Sequence, residues 1–529
     1  MALAIELTAA RVPSLGLDGI EAGLAELSFA RGLPGESQRR YEQAAGLAPD
    51  AGHAATALRC AAGAAKSRHF GDDALRLLQA AADAAVRAGD RAGAAMDLAQ
   101  AAEMCNRTVG LMATAPAGGL ADDLLARGRA LAGGNVAAEA RLLTAEAYNG
   151  DDADPVTAEL AERAIALARR AGDPLTESAA LDEFTSIQLA RGELRAALAS
   201  ALRRTETLDP LPVTALSGLE HSDSLQMAAE CATAAGDLRG ARRLAERVRD
   251  LPFHREEGHL ATARLIVVTA LTGDWEEALA LAGQFREGWE RAGRPRAGNL
   301  TRGAYAAATV HGLRGDDDAR AAWLDIVDAL ATPGRPPSTF HFNEFFDALL
   351  FLHRGQGEAA AEVLGTPPEQ FRTWASGMWR PWYAALWAEA AVVTGHPDAA
   401  ARIRRCPSGP ARRASAASPP WSRPTTRPWG GCCGTSGPTW SAMSAASSSS
   451  SSSWPARRPG RPETAVGWPV RRPGLQAGSA GWVYRLATSA CLARTASAAV
   501  RRAASSASVR SRSTTRRTPS APISASTPR

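Results

Sequence analysis

Lysine is almost missing from this chain. Lys66 stands alone, and arginine supplies every other basic side chain. Lysine codons are AT-rich, so the bias reads as the mark of a GC-rich coding sequence, not of a binding surface. Aromatic residues are scarce too, at 5% against 45% hydrophobic overall, which leaves alanine and leucine to carry the apolar content. That balance favours helices whose small side chains let backbones approach closely. The seven cysteines are scattered, apart from adjacent Cys432 and Cys433, and no Cys-x-x-Cys pair occurs, which argues against a disulfide framework. No apolar run approaches membrane-spanning length; Leu265 to Leu271 is among the longest. The N-terminus, Met-Ala-Leu-Ala-Ile-Glu-Leu, lacks the basic start and long apolar core of a signal peptide. These absences point to a soluble cytoplasmic protein that makes no use of a membrane.

What is present is distributed unevenly. The net charge of +5 conceals −12 up to residue 405 and +17 beyond it, where Glu463 is the one acid. A chain of 529 residues has room for several domains or one long repeat array.

The front part repeats a turn-plus-helix phrase. It reads Gly192-Glu193 with Ala197, Gly236-Asp237 with Ala241, and Gly273-Asp274 with Ala278. It returns loosely as Gly315-Asp316, Gly355-Gln356 with Ala360, and Gly395-His396 with Ala400. A spacing of about 40 residues suits two-helix repeats. The glycine can end one helix in the left-handed conformation, and the acid beside it can favour the positive N-terminus of the next. The alanine five residues on marks a place where a large side chain would push paired helices apart.

Leu24 to Asp50 matches the tetratricopeptide pattern more closely. After a turn at Gly32 come Ser37, Tyr41, Ala44 and Pro49, the small, aromatic, small and proline positions of that repeat's second helix. Apolar spacing elsewhere follows the helical period, with no sustained alternation for strands. Loops are expected at Ala113 to Gly119, Leu208 to Thr214, Gly293 to Gly298 and Thr332 to Ser338. The expected fold is therefore all-α: a tetratricopeptide-like α-solenoid of antiparallel helix pairs over residues 1–405.

Residues 406–529 break the pattern. Proline, serine and arginine dominate, and Ser447 to Ser453 is an unbroken run. The segment reads as a low-complexity disordered tail or as the product of a reading-frame slip. Six tryptophans, from Trp421 to Trp482, favour the slip, because disordered segments rarely accumulate them. Serine TCC codons read from each third base become CTC, leucine, so the shifted frame resembles more solenoid.

Candidate chemistry is sparse, and an enzyme is not expected. His254 and His259 lie five apart, about 140° around a helix, whereas zinc-binding histidines need i, i+4 spacing to share a face. A surface or inter-helix loop is the plainer reading, and no metal is expected. Gly63-Ala-Ala-Lys66-Ser67 echoes a phosphate-binding loop, but Ala65 occupies the place where that motif needs glycine. No cofactor is implied. Two aromatic stripes stand out late in the array: Phe342, Phe345 and Phe346 with Leu349 and Leu350, then Trp379, Trp382, Tyr383 and Trp387 with Leu386. They read as bulky core or as the lining of a pocket for a small apolar inducer or a partner helix.

With the repeat in view, Ala158 to Arg170, Ala261 to Ala270 and Met378 to Trp387 resemble the helical repeat region of large ATP-binding LuxR-type regulators of actinobacteria. The resemblance spans roughly residues 20 to 405. In that family an ATPase precedes the repeats and a helix-turn-helix domain follows them. Neither is recognisable here, so no ATP-binding or base-reading residue carries over. The resemblance implies a transcriptional regulator, or a truncated relative, whose solenoid binds a small-molecule inducer or protein partner. DNA would be met only indirectly, or non-specifically through the basic tail. A stand-alone repeat scaffold for protein assembly is the alternative.

Overall fold

A computed structural model describes residues 16–254, 258–332, 341–371 and 373–405. The expected tail at 406–529, and most of the expected loop at 332–338, lie outside the described residues. Twenty α-helices follow one another as ten antiparallel pairs, and there is no strand among the described residues. The pairs are α1 (Leu17–Ala30) with α2 (Pro34–Leu47), α3 (Ala51–Ser67) with α4 (Gly71–Arg87), and α5 (Arg91–Met104) with α6 (Leu120–Ala132). Next come α7 (Val136–Tyr148) with α8 (Pro155–Ala171), α9 (Pro174–Arg191) with α10 (Leu194–Leu208), and α11 (Gly218–Ala234) with α12 (Leu238–Arg249). The array ends with α13 (Gly258–Thr272) and α14 (Trp275–Arg291), α15 (Thr301–Leu313) and α16 (Asp317–Leu330), α17 (Phe342–His353) and α18 (Gly357–Val363), and α19 (Trp374–Val393) and α20 (Ala399–Arg405). This is an α-solenoid of tetratricopeptide-like helix pairs.

One local device builds most of the turns. At all six repeat glycines φ lies between 66° and 85°, a conformation that costs glycine nothing. The residue after the glycine donates its amide back five positions, as Asp237 does to Ala232 at 2.8 Å and Asp274 to Thr269 at 3.0 Å. This satisfies carbonyls that the helix end would otherwise orphan. The following acid acts more specifically than a charge near a dipole. Asp237 accepts from the Gly240 amide and Asp316 from Ala319, as true N-caps. Glu193 and Asp274 occupy the same position without a side-chain cap.

Ala197, Ala241, Ala278 and Ala360 are wholly buried, at the expected contact between paired helices. Ala400 is exposed, on the last described helix. In the Gly315 repeat Arg320 takes the alanine's place, and its Cδ fills the room left by Gly312. Ser37, Tyr41 and Ala44 are buried on α2 as their pattern requires.

From α3 onward each odd-numbered helix buries more of its residues than the even-numbered helix that follows it, so the odd ones face inward. Every residue of α11 except Asp223 is buried, and α13 is buried from His259 to Leu271. Outer α12 buries only Gly240, Ala241, Leu244, Ala245 and Val248, and turns its arginines to solvent. The coil is tight enough that later pairs touch earlier ones: α3 meets α11, and α9 meets α19. These approaches need glycine. A Cβ on Gly63 would stand 2.3 Å from the Ala215 carbonyl oxygen, and one on Gly377 would stand 2.0 Å from that of Leu189. Thr332 donates to the Met112 carbonyl at 2.9 Å, and the Trp374 amide to Asp152 at 3.0 Å, each across more than half of the described chain. No helix among the described residues is long and apolar enough to cross a membrane.

Candidate functional site

The inward faces carry charge where an Ala-rich core would not demand it. Arg204, fully buried on α10, donates to Ser178 at 2.8 Å, Asp182 at 2.7 Å, Glu220 at 2.9 Å and Asp223 at 2.6 Å. Arg107, just past α5, donates to Glu103 at 2.8 Å, Asp182 at 2.9 Å and Asp223 at 2.9 Å, and also to Glu220. Arg141 on α7 pairs with the other oxygen of Glu103 at 2.8 Å, and the Tyr148 hydroxyl donates to Asp182 at 2.9 Å. A second cluster joins Glu230 of α11 to Arg264 of α13, at 2.6 Å, and to Arg302 of α15.

In the first cluster three arginines thus face four carboxylates drawn from four successive helix pairs. Burial alone would raise the pKa of Glu220, but Arg107 and Arg204 outweigh it and hold the group well below the usual carboxylate range. Burial drives Glu183 the other way, well above that range, with Asp152 and Asp182 adding to the effect. Lys66 lies beside this network on α3. Burial, and then Arg141, lower its pKa to about 8. Charges locked this tightly fix a geometry; removing one partner would leave others buried and uncompensated.

The sequence reading missed this network. Its signal was present as isolated charges in otherwise small-residue helices, notably Glu103 with Arg107 four positions on, Asp182, and Glu220 with Asp223. Those charges converge only once the coil closes, and periodicity does not reveal that.

The aromatic residues singled out in the sequence do come together. Phe345 stacks on Trp379 at 5.4 Å between centroids, Phe342 meets Trp379 edge-on at 5.0 Å, and Phe342 lies 4.6 Å from Phe346. Tyr383 packs against Phe371 at 4.9 Å, and Arg402 lies over the Trp387 ring at 4.1 Å. Trp382 is half-buried, whereas Phe342, Phe345, Phe346, Trp379, Tyr383 and Trp387 are buried. Their rings fill the space between α17 and α19, ring on ring, as a packed core does.

The two histidines are not at the surface. His254, in a short 3₁₀ turn, and His259, at the start of α13, are both buried, because the coil folds the α1 repeat over that turn. Burial lowers the pKa of His254 to about 4; burial and then His254 lower that of His259 to about 3. Among the described residues no group of three or more His, Cys, Asp or Glu side chains is placed to hold a metal ion. Gly63 to Ser67 is interior helix, with the Ser67 hydroxyl donating to the Gly63 carbonyl at 3.0 Å.

No family model matches the chain, and no curated protein does. Among solved structures it is similar to a Signal Transduction ATPase with Numerous Domains (STAND) protein with a tetratricopeptide repeat sensor from Pyrococcus horikoshii. Identity is 14% and the TM-score 0.31, over 64% of this chain and 44% of that one. It is also similar to a circular tandem repeat protein with novel repeat topology and enhanced subunit contact surfaces. There identity is 14% and the TM-score 0.13, over 73% of this chain and 86% of that one. The chain therefore spans less than half the length of the first of these. Both likenesses are distant. The repeat architecture stands on the helix pairs themselves.

Proposed function

We propose that the helical array is the sensing part of a LuxR-type transcriptional regulator, or of a truncated relative, and carries out no reaction of its own. It would take up a small-molecule inducer or a protein partner, as repeat surfaces commonly do. The observation that supports this reading is the interior network. Its acids and bases are engaged with one another in a fixed framework around Arg107 and Arg204, which suits a scaffold that positions surfaces. Contact with DNA would be indirect, or non-specific through residues 406–529. A stand-alone scaffold for protein assembly is the second reading, favoured by the way the pairs close on their own core.

The discriminating experiment is to sequence the gene through codon 406 and beyond. The regulator reading expects a one-base shift that restores leucine-rich helices and ends in a helix-turn-helix. If the frame stands as written, a titration with a promoter and a random duplex should show equal binding that fades as salt rises. The array cut at Arg405, at −12, should bind neither. That outcome would leave the scaffold.

A further inference from the structure

The closure of the coil joins the first three helix pairs to the sixth, seventh and eighth. Gly63 on α3 lies against the Ala215 backbone, and Gly218 at the start of α11 lies against Phe29 of α1 and Ser67 of α3. Phe29 stacks on Phe253 at 5.1 Å between centroids. Gly110, past α5, faces Asn299, just before α15, and a Cβ on it would stand 3.2 Å from the Asn299 Cβ.

Three imidazoles are set into this closure with ring nitrogens that lack partners. His69, just past α3, is buried, and its Nδ1 has no hydrogen bond. His254 lies edge-on to Phe253 at 4.4 Å. Its Nδ1 donates to the Val248 carbonyl at 2.9 Å, so Nε2 keeps a lone pair, and that atom is buried without a partner. Neither ring nitrogen of His259 is hydrogen-bonded.

Neutral rings suit such a place and charged ones do not. Among the described residues, His69 faces His259, His254 and Arg264, with the Asn299 side chain as a neutral neighbour. His259 faces His254 and Arg291, and α1 contributes the Phe29 ring. Glu230, bonded to Arg264, is already shared with Arg302. A proton added here therefore meets other bases and aromatic rings, and gains water only if the closure parts.

We propose that the closure is an acid-released latch: protonation of His69 and His254 parts the first three helix pairs from the sixth to the eighth while each pair keeps its helices. Burial holds both rings below the usual imidazole range, and opening returns them to about 6.5. The latch is thus shut above about pH 6.5 and weakens as pH falls; at pH 5 the open coil gains about thirtyfold for each histidine. The device goes beyond the regulator reading and is independent of it, because it is read with no DNA or inducer present.

The test is small-angle X-ray scattering of the full chain from pH 7.5 to 5, with helical circular dichroism alongside. The radius of gyration should rise on acidification and return at pH 7.5, with the helical signal unchanged. His69→Asn combined with His254→Gln should stay compact, or expand only about one pH unit lower. Asparagine tolerates the φ of 62° at position 69, and glutamine keeps a donor for the Val248 carbonyl. If that variant misfolds, Gly110→Cys with Asn299→Cys ties the closure by a disulfide and should suppress the expansion. A chain that stays compact at pH 5 would overturn the proposal. So would an unchanged expansion in the folded double-histidine variant or the oxidised tied one, or an expansion that comes only with loss of helix.

Discussion

Trp382 donates its indole N–H to the backbone oxygen of Thr233 at 3.0 Å, across 149 residues of chain. The contact joins the tenth helix pair to the sixth, so it exists only because the solenoid coils back on itself. On the same helix, Gly377 approaches the Leu189 backbone of α9 with no room for a side chain.

Gly377→Ala should therefore destabilise the array by about 1–3 kcal/mol, the usual range for overpacking, because the new Cβ meets the Leu189 carbonyl oxygen at 2.0 Å. Gly283→Ala, on exposed α14 with open space at its Cβ, should stabilise by about 0.5–1 kcal/mol. Urea unfolding of the two variants reads both signs; equal effects would mean that the seam is looser than described.

Arg204→Met should lose about 3–5 kcal/mol, since buried Asp182 and Glu220, with half-buried Asp223, would be left to share Arg107 alone. Arg249→Ala removes an exposed pair with Asp250 and should change stability by less than about 1 kcal/mol. Denaturant midpoints of the two variants give the comparison.

Ala241→Leu and Ala278→Leu test the repeat register. Both alanines are fully buried between paired helices, so each change should destabilise by about 1–3 kcal/mol. Arg243→Leu, exposed on the same helix as Ala241, should be near neutral by thermal melting.

Acid should weaken the fold through its buried histidines. His254 and His259 have folded pKa values near about 4 and about 3, below the unfolded value of about 6.5. Below about pH 6.5 the unfolded chain takes up protons that the folded chain refuses. Their stabilising effect is thus complete above that pH and declines toward pH 4, by up to about 1.4 kcal/mol per pH unit for each histidine. His254→Gln should flatten the stability profile between pH 6.5 and 5. An unchanged slope in that variant would show that other groups govern the region.

Local chemistry was legible in the sequence. Gly236 and Gly273 announce their turns because only glycine adopts φ above 80° without strain, and Ala241 and Ala278 follow at fixed distance because the pair contact leaves no room. Ser37, Tyr41 and Ala44 were readable for the same reason. The axial charges were not, since Arg107 and Glu220 are 113 residues apart and nothing nearby in sequence specifies their meeting. Burial of His254 and His259 escaped for the same cause: the covering elements arrive from the far end of a coil. The aromatic residues from Phe342 to Trp387 could be grouped by helical spacing, but whether rings pack or leave space depends on neighbours outside the stripe.

The closure between α3 and α11 has a consequence for how such a chain can change. In an extended stack each repeat answers only to its neighbours, so units can be added or lost at little penalty elsewhere. Here an insertion or deletion of one pair anywhere between Ser67 and Gly218 would rotate every later pair and set Gly63 opposite the wrong residue. The modularity of the sequence is thus not inherited by the fold. Unfolding should proceed as one cooperative event, without fraying pair by pair from either end, and length should be far less tolerant of variation inside the coil than beyond it.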